Sequence, residues 1–311
     1  MNHYYAVNAS DRGILMLAWV SVFVGCATQP PDVPTLLERY RKNWNLPALA
    51  GAIVTSQGIV AVGAVGKRKY GDTTPVTLDD QFHLGSDTKS MTATLLAIFI
   101  EEGKLSWGTT LAQALPELAE TMHPAYREVT IEQILAHRAG FRHDIQKSQE
   151  ARAELYRLPG TLREQRWAKA KEILQEPPEF QPGSQFQYSN LGYVIAGVVA
   201  ERSGDASWEE LMTQRLFVPL GMSTCGFGAM GAPGKVDQPW QHTFDGKQHV
   251  ALEPGPMSDN PLLIGPAGAA HCSMGGWGKY LASHLQGERG QGGVLKAETY
   301  KKLHIPNFGG S

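Results

Sequence analysis

Apolar and polar residues are spaced in two different ways along this chain, and the change falls near Ser86. Before it, two runs rich in valine, isoleucine and alanine flank the turn sequence SQG at residues 56–58. This arrangement predicts a β-hairpin, and the small residues in both runs predict close packing against helices. The preceding segment TLLERYRKNW, residues 35–44, has the spacing of a short amphipathic helix.

After Ser86, the spacing of the apolar residues predicts helices instead of strands. Met91, Leu95 and Phe99 belong to a strongly apolar run. This run predicts a helix that is buried on most sides and is capped at its end by Gly103.

Capping-box spacings, in which serine or threonine precedes glutamine or glutamate by three residues, predict two further helices. One would run from Thr130 to Gly140, and the other would begin at Ser207 and end at Pro219. Other helices are predicted within residues 150–176, 189–204 and 275–288, and loops over residues 226–270. A hairpin of two strands exposes its edges, and no later segment supplies an obvious sheet partner.

Composition excludes some classes of function without identifying one. Hydrophobic residues make up 42% and charged residues 19% of the 311 residues, which is ordinary for a globular protein with one large domain or two smaller ones. The net charge of −2 includes no basic excess, so no nucleic-acid partner is expected.

The first 26 residues have the pattern of an export signal. Arg12 precedes the apolar run GILMLAWVSVFVGC, which has the size of a signal-peptide core and is short for a membrane span. Its end resembles the lipobox of bacterial lipoproteins, where cleavage leaves a lipid-modified cysteine, here Cys26, although Phe23 stands where leucine is usual. We expect an exported protein of the periplasm or the cell envelope, anchored by lipid on Cys26, with residues 27–34 as a linker. Simple secretion and an uncleaved anchor are the alternatives.

The cysteines and histidines do not indicate a metal site or a cofactor. Cys26, Cys225 and Cys272 include no C-x-x-C pair, and histidines such as His137 and His143 lack a metal-ligand spacing. Cys225 and Cys272 have two interpretations, either a disulfide in an oxidising compartment or two small buried residues.

Ser86 and Lys89 form an S-x-x-K sequence at the start of the apolar helix. A serine at a helix N-terminus can be a simple N-cap, or it can be a nucleophile whose negative charge the helix end stabilises. Residues three apart share a helix face, so Lys89 can reach the Ser86 oxygen and assist its deprotonation.

Tyr188 and Asn190 lie two residues apart just before another apolar helix. On a loop, this pair would project a phenol and an amide into one space. Tyr188 could then take a proton from Ser86 and pass it to a leaving group, while Asn190 oriented Lys89 and the substrate. The alternative is a tyrosine packed on the core and an asparagine that caps the helix.

Together the two pairs resemble the serine β-lactamase and penicillin-binding-protein superfamily, most closely its class C-like and esterase-like branch. The resemblance covers about Leu36 to Leu303 and includes, in order, VTIEQILAHRAGF, LFVPLGM and GPAGAAHCSMGGWGKYL. It implies that Ser86 is the nucleophile and that Lys89 is its activator. It also implies that Tyr188 is the catalytic tyrosine and that the amide of Asn190 binds the substrate.

The resemblance also implies an α/β (α+β) fold, with an antiparallel sheet flanked by helices and an inserted all-α domain. Residues 35–85 would form the first part of the α/β subdomain and residues 86–290 a mostly helical subdomain, within one domain over residues 35–311. The superfamily's third motif, lysine or histidine followed by a small residue and glycine, is absent from this sequence. We therefore expect the C-terminal strands to be missing and the sheet to be incomplete.

Two functional hypotheses follow. The first is an exported serine hydrolase or acyltransferase that needs no cofactor and acts on an amide, lactam or ester, such as a β-lactam, a D-Ala-D-Ala peptide or a small ester. The second is an impaired envelope protein that binds cell-wall peptides, or a fragment without activity, as the missing motif would favour. A near match to the G-x-S-x-G elbow at Ser273 is discounted, because His271 replaces the first glycine.

Overall fold

The computed structural model describes residues 32–142 and 153–306, so the predicted signal, Cys26 and His143 lie outside the described residues. The strands are β1 (Ala48–Thr55), β2 (Gly58–Gly66), β3 (Phe82–His83), β4 (Gly226–Phe227), β5 (Gln241–Phe244), β6 (His249–Leu252) and β7 (Ala270–Cys272). The helices are α1 (Val33–Asn43), α2 (Thr88–Glu101), α3 (Leu111–Ala114), α4 (Ile131–Leu135), α5 (Leu162–Gln175), α6 (Asn190–Gly204), α7 (Trp208–Met212), α8 (Gly265–Gly268), α9 (Met274–Glu288) and α10 (Ala297–His304).

The predicted hairpin is confirmed as β1 and β2, which pair antiparallel from Ala48 opposite Gly66 to Thr55 opposite Gly58. Glycines let two helices approach it closely. A Cβ atom on Gly63 of β2 would lie 2.9 Å from the backbone nitrogen of Pro34 in α1. The small residues of the hairpin therefore serve helix packing, as the sequence predicted.

The remaining strands form two small antiparallel sheets that the sequence did not predict. In one, β7 lies between β3 and β4, and in the other β5 pairs with β6. The fold is thus mixed α/β with antiparallel sheets, as expected. A disulfide joins Cys225, just before β4, to Cys272 in β7, which decides between the two interpretations of these cysteines.

Helix α2 is the centre of the main hydrophobic core. Met91, Leu95 and Phe99 are fully buried, which confirms the expected burial on most sides, and Gly103 follows the helix in a left-handed conformation. Helix α6 packs against α2 and is itself buried along most of its length. The core therefore surrounds α2, and the 3₁₀ turn that leads into α2 carries Ser86.

The predicted helix starts are confirmed, but one predicted end is wrong. Both capping boxes form, at Thr130 and at Ser207. Helix α4 ends at Leu135 and does not reach Gly140, because His137 takes a left-handed conformation with φ of 57°. The helix after Ser207 continues from α7 into a π-helical turn, Thr213–Phe217, which ends just before Pro219.

Among the residues that the structure describes, no helix combines the length and the apolar character needed to cross a membrane.

Candidate active site

A tight turn presents Ser86 to solvent between β3 and α2. Gly85 has a φ of +54°, a conformation that glycine adopts at little cost, and Gly85–Asp87 then forms a 3₁₀ turn that leads into α2. The hydroxyl of Thr88 donates to the carbonyl of Gly85 at 2.7 Å and accepts the N–H of Ala270 at 3.1 Å. The turn is thus fixed to β7, and Ser86 is left exposed at its surface.

Lys89 lies one helical turn after Ser86 and is buried, with 5% of its surface exposed. Its ammonium group donates to Ser86 Oγ at 3.2 Å, to Asn190 Oδ1 at 2.8 Å and to the carbonyl of Ala267 at 2.7 Å. A buried cation needs such partners, and these three acceptors match its three protons. The expected pairing of Ser86 with Lys89 is therefore present.

Tyr188 approaches Ser86 from the loop before α6. Its hydroxyl lies 2.5 Å from Ser86 Oγ and donates to it, and Lys89 Nζ lies 4.6 Å from the centre of its ring. The next residue, Ser189, caps α6 by accepting the N–H of Gly192 at 3.1 Å. This cap leaves Tyr188 on the loop and Asn190 as the first helical residue, so Asn190 contacts Lys89 and does not act as the cap.

His137 supports Tyr188, a role that sequence reasoning missed. Its Nδ1 accepts the N–H of Ser189 at 3.1 Å, and its carbonyl accepts the N–H of Gln187 at 2.8 Å. The imidazole and phenol rings lie 4.6 Å apart. Burial, helped by the charge of Lys89, lowers the pKa of His137 to about 4, so the ring stays neutral and its Nδ1 remains an acceptor. The left-handed backbone that ends α4 early brings this ring to the tyrosine.

The carbonyl of Ala267 is a second contribution that the sequence did not reveal. It belongs to α8, a single turn that packs on α2 and α6. Thr92 of α2 donates to the carbonyl of Pro266 at 2.8 Å, and a Cβ atom on Gly197 would lie only 2.4 Å from the Pro266 ring. Only glycine at position 197 leaves space for this turn, which aims the Ala267 carbonyl at Lys89.

A cavity of about 780 Å³ lies against the face of α2 that carries Ser90, one helical turn beyond Ser86. Its lining combines the aromatic side chains of Trp107, Phe186 and Tyr280 with aliphatic and charged side chains. Tyr193 connects it to the site, since its ring also lies 5.6 Å from Lys89 Nζ. The cavity is large enough to hold part of a small-molecule substrate, and Ser86, Lys89 and Tyr188 are not among its lining residues.

Ser273 has a structural role instead of a chemical one. It is buried, accepts the N–H of Gly276 as the cap of α9, and pairs with the hydroxyl of Thr224. Within residues 32–142 and 153–306, no group of histidine, cysteine, aspartate and glutamate side chains could hold a metal ion. Among the described residues, Lys89 and Tyr188 both contact the oxygen of the exposed residue Ser86.

Nearly the whole described chain matches one known protein family. A family model described as Beta-lactamase matches residues 34–310. This chain belongs to the beta-lactamase family. Members of this family are hydrolases, and the match agrees with the resemblance that the S-x-x-K and Tyr-x-Asn pairs indicated.

The chain is similar to several proteins with different names and lengths. It is 24% identical over 291 residues to an unguisins hydrolase of Aspergillus campestris, covering 88% of this chain and 52% of that protein. The octameric penicillin-binding protein homologue of Pyrococcus abyssi has a TM-score of 0.69 and 23% identity, with 88% of this chain and 60% of that chain covered. The D-amino acid amidase of Ochrobactrum anthropi has a TM-score of 0.64 and 18% identity, with coverages of 86% and 71%. The chain spans about half the length of the curated relatives it matches.

Proposed function

We propose that this protein is an exported serine hydrolase that forms an acyl-enzyme on Ser86. The observation that carries the proposal is the convergence of Tyr188 and Lys89 on Ser86 Oγ, at 2.5 Å and 3.2 Å. A nucleophile within hydrogen-bond reach of a base, with the base held by further groups, is the arrangement that covalent catalysis requires. An ordinary N-cap serine needs neither partner.

The acylation step follows from these positions. The Tyr188 hydroxyl, which donates to Ser86 Oγ in the resting site, first releases its proton to solvent; its oxygen then accepts the Ser86 proton while Ser86 Oγ forms a bond to the carbonyl carbon of the substrate. The tetrahedral intermediate then breaks its bond to the leaving group, which takes the proton back from Tyr188. Lys89 stays an ammonium and offsets the negative charge on both oxygens during the transfer. Water repeats the sequence to release the acid and restore Ser86.

The substrate we propose is an acyl group in amide, lactam or ester linkage, including peptides and amides that contain D-residues. Its support is the family membership together with the activities for which two similar proteins are named, an unguisins hydrolase and a D-amino acid amidase. The cavity beside α2 would hold an apolar portion of such a substrate. A dedicated β-lactam-resistance role is a less favoured form of the same chemistry.

A second candidate is an envelope protein that binds cell-wall peptides without turnover. The same contacts around Ser86 would hold a peptide carbonyl whether or not Ser86 reacts with it. The two candidates differ in whether Ser86 becomes acylated and the acyl group is then released by water.

The test is intact mass of residues 27–311 after exposure to a fluorophosphonate, and separately to a penicillin, with Ser86→Ala as the control. We expect one adduct per chain, absent from the control, followed by slow loss of the penicilloyl adduct. A folded protein that forms no adduct with either reagent would overturn the hydrolase proposal and leave the binding protein as the better candidate.

Export and lipidation at Cys26 form a separate part of the proposal. We expect the full chain, expressed in a bacterium, to incorporate labelled palmitate and to lose the label in Cys26→Ser. Secreted protein without label would support simple secretion instead.

A further inference from the structure

His83, which no part of the proposed mechanism uses, lies directly behind the nucleophile turn. Its Nδ1 accepts the backbone N–H of Gly85 at 3.0 Å, two residues along the chain. Its Nε2 lies 2.8 Å from Asp259 Oδ1. Because Nδ1 accepts a proton, Nε2 carries the ring proton and faces the carboxylate of Asp259 at this distance without forming a hydrogen bond, so the imidazole lies in contact with both the turn and the carboxylate.

Asp259 is a rigid anchor for this link. Its side chain is only 2% exposed, and its Oδ1 also accepts the N–H of Asn260 at 2.6 Å. Asn260 in turn donates from Nδ2 to the carbonyl of Gly268 at 2.7 Å. Gly268 directly follows Ala267, the residue whose carbonyl binds Lys89. The loop that carries Asp259 and Asn260 therefore contacts both parts of the site. Asp259 contacts His83 behind the nucleophile turn, and Asn260 binds α8, which carries the carbonyl bound by Lys89.

The Gly85 amide is the point at which such a link matters for the position of Ser86. Gly85 is in a left-handed conformation, and the peptide plane on its nitrogen side is held by His83 while its carbonyl accepts from Thr88. Leu84, on the other side, is held by its N–H to the carbonyl of Ala270 at 2.9 Å. Without the His83 contact, the Gly85 N–H would lose its one partner among the described residues, and the turn before Ser86 could rotate.

We propose that His83 and Asp259 are positioning residues that set the orientation of the Ser86 turn relative to Lys89. This proposal rests on the proposed function, in that the positioned atom is the nucleophile. Misplacement of a reacting group by about 1 Å can cost about 10²-fold in rate. The link should therefore affect the acylation rate much more than substrate binding or global stability.

Two substitutions of His83 separate the two halves of the link. In His83→Asn, the amide oxygen can take the place of Nδ1 and still accept the Gly85 N–H, but nothing reaches Asp259. In His83→Gln, the longer amide can still reach Asp259 but no acceptor faces Gly85. A matched control is His123→Gln, because His123 Nδ1 accepts the N–H of Ala125 at 3.2 Å in the same local arrangement, in a turn that carries no site residue.

The experiment measures kcat and KM with a chromogenic ester, the rate of fluorophosphonate labelling, and hydrogen exchange at the Gly85 amide. We expect His83→Gln to lower kcat and the labelling rate about 10- to 100-fold with KM and Tm little changed, and to expose the Gly85 amide to exchange. We expect His83→Asn, which keeps the Gly85 contact but loses the one with Asp259, to lower both rates by an intermediate factor of about three to ten, and Asp259→Leu to lower them by a similar factor. The His123→Gln control should leave both rates unchanged.

Equal rates and equal Gly85 protection in the wild type and His83→Gln would overturn the positioning role. So would equal losses of rate and Tm in His83→Asn and His83→Gln, since these indicate a purely structural residue. A wild type that is not labelled at Ser86 would count against the hydrolase proposal, and exchange at Gly85 would then decide the positioning question alone.

Discussion

At the scale of single residues, the site is organised by the burial of one cation. Lys89 is 5% exposed, and an ammonium group at that depth is stable only if its protons meet acceptors. The acceptors are a hydroxyl, an amide and a backbone carbonyl, from Ser86, Asn190 and Ala267. The resulting array presents positive charge to the exposed oxygen of Ser86 and to the ring of Tyr188.

Tyr188→Phe tests the chemical role of the phenol without disturbing its packing. The ring contacts with His137 and Lys89 remain, and only the hydroxyl beside Ser86 Oγ is lost. We expect kcat to fall about 10²- to 10⁴-fold, the range typical of a lost acid–base group, with Tm changed by at most a few degrees. An activity equal to that of the wild type in a steady-state ester assay would assign the proton transfer to another group.

At the scale of elements, the site depends on how closely α8 approaches α6. The Pro266 ring packs on Gly197, and Thr92 of α2 holds the Pro266 carbonyl. These contacts place the next carbonyl, that of Ala267, within 2.7 Å of Lys89 Nζ. A single-turn helix thus becomes part of the site only because its neighbour lacks a side chain at one position.

Gly197→Ala should therefore lower both stability and activity. Its Cβ atom would lie 2.4 Å from Pro266 Cγ, so α8 must shift, at a cost of about 1–3 kcal/mol in the free energy of unfolding. We expect slower fluorophosphonate labelling, because the Ala267 carbonyl moves away from Lys89. Gly275→Ala in α9 is the matched control, since its Cβ atom would meet Ser273 Oγ at an ordinary 3.6 Å. Equal urea midpoints for the two variants would contradict this account of α8.

At the scale of the whole molecule, α10 is joined to the core through a half-buried histidine. His284 of α9 lies 3.3 Å from the Thr94 hydroxyl of α2 and 2.9 Å from His304 Nε2 of α10. Its ring also packs at 4.9 Å against Tyr300. Burial, followed by the nearby His304, lowers the pKa of His284 to about 4, and Glu288 opposes this shift.

This shift predicts how stability depends on pH. Between pH 6.5 and about 4 the unfolded chain binds a proton at His284 that the folded chain does not bind. The contribution of His284 to the free energy of unfolding is therefore complete above pH 6.5, and it is lost as the pH falls towards 4. Across this window, we expect His284→Asn to reduce the number of protons taken up on unfolding by about one. The slope of the unfolding free energy against pH should then fall by about 1.4 kcal/mol per pH unit.

Urea unfolding at half-unit steps from pH 4 to pH 7.5 measures this slope. His137, whose pKa is also lowered to about 4, remains in both proteins and adds the same dependence to each. Parallel curves for the wild type and His284→Asn would show that His284 binds its proton equally in both states.

The features that could be predicted from the sequence are those set by neighbours along the chain. Ser86 and Lys89 share a helix face because three residues make nearly one turn, whatever surrounds the helix. The hairpin around SQG and the capping boxes at Thr130 and Ser207 formed for the same reason, since each joins residues at most a few positions apart.

The rest was decided by tertiary structure, because contacts between distant positions leave no periodic pattern in the sequence. Tyr188 meets Ser86 across 102 residues, and Ala267 meets Lys89 across 178. Strands of two or three residues, such as β3 and β7, are too short to show alternation, so the small sheet behind the nucleophile was not foreseen. The sequence by itself determined which residues could react and on which helix they stand. Only the packing of α6, α8 and the loop from Asp259 decided that their reactive atoms meet.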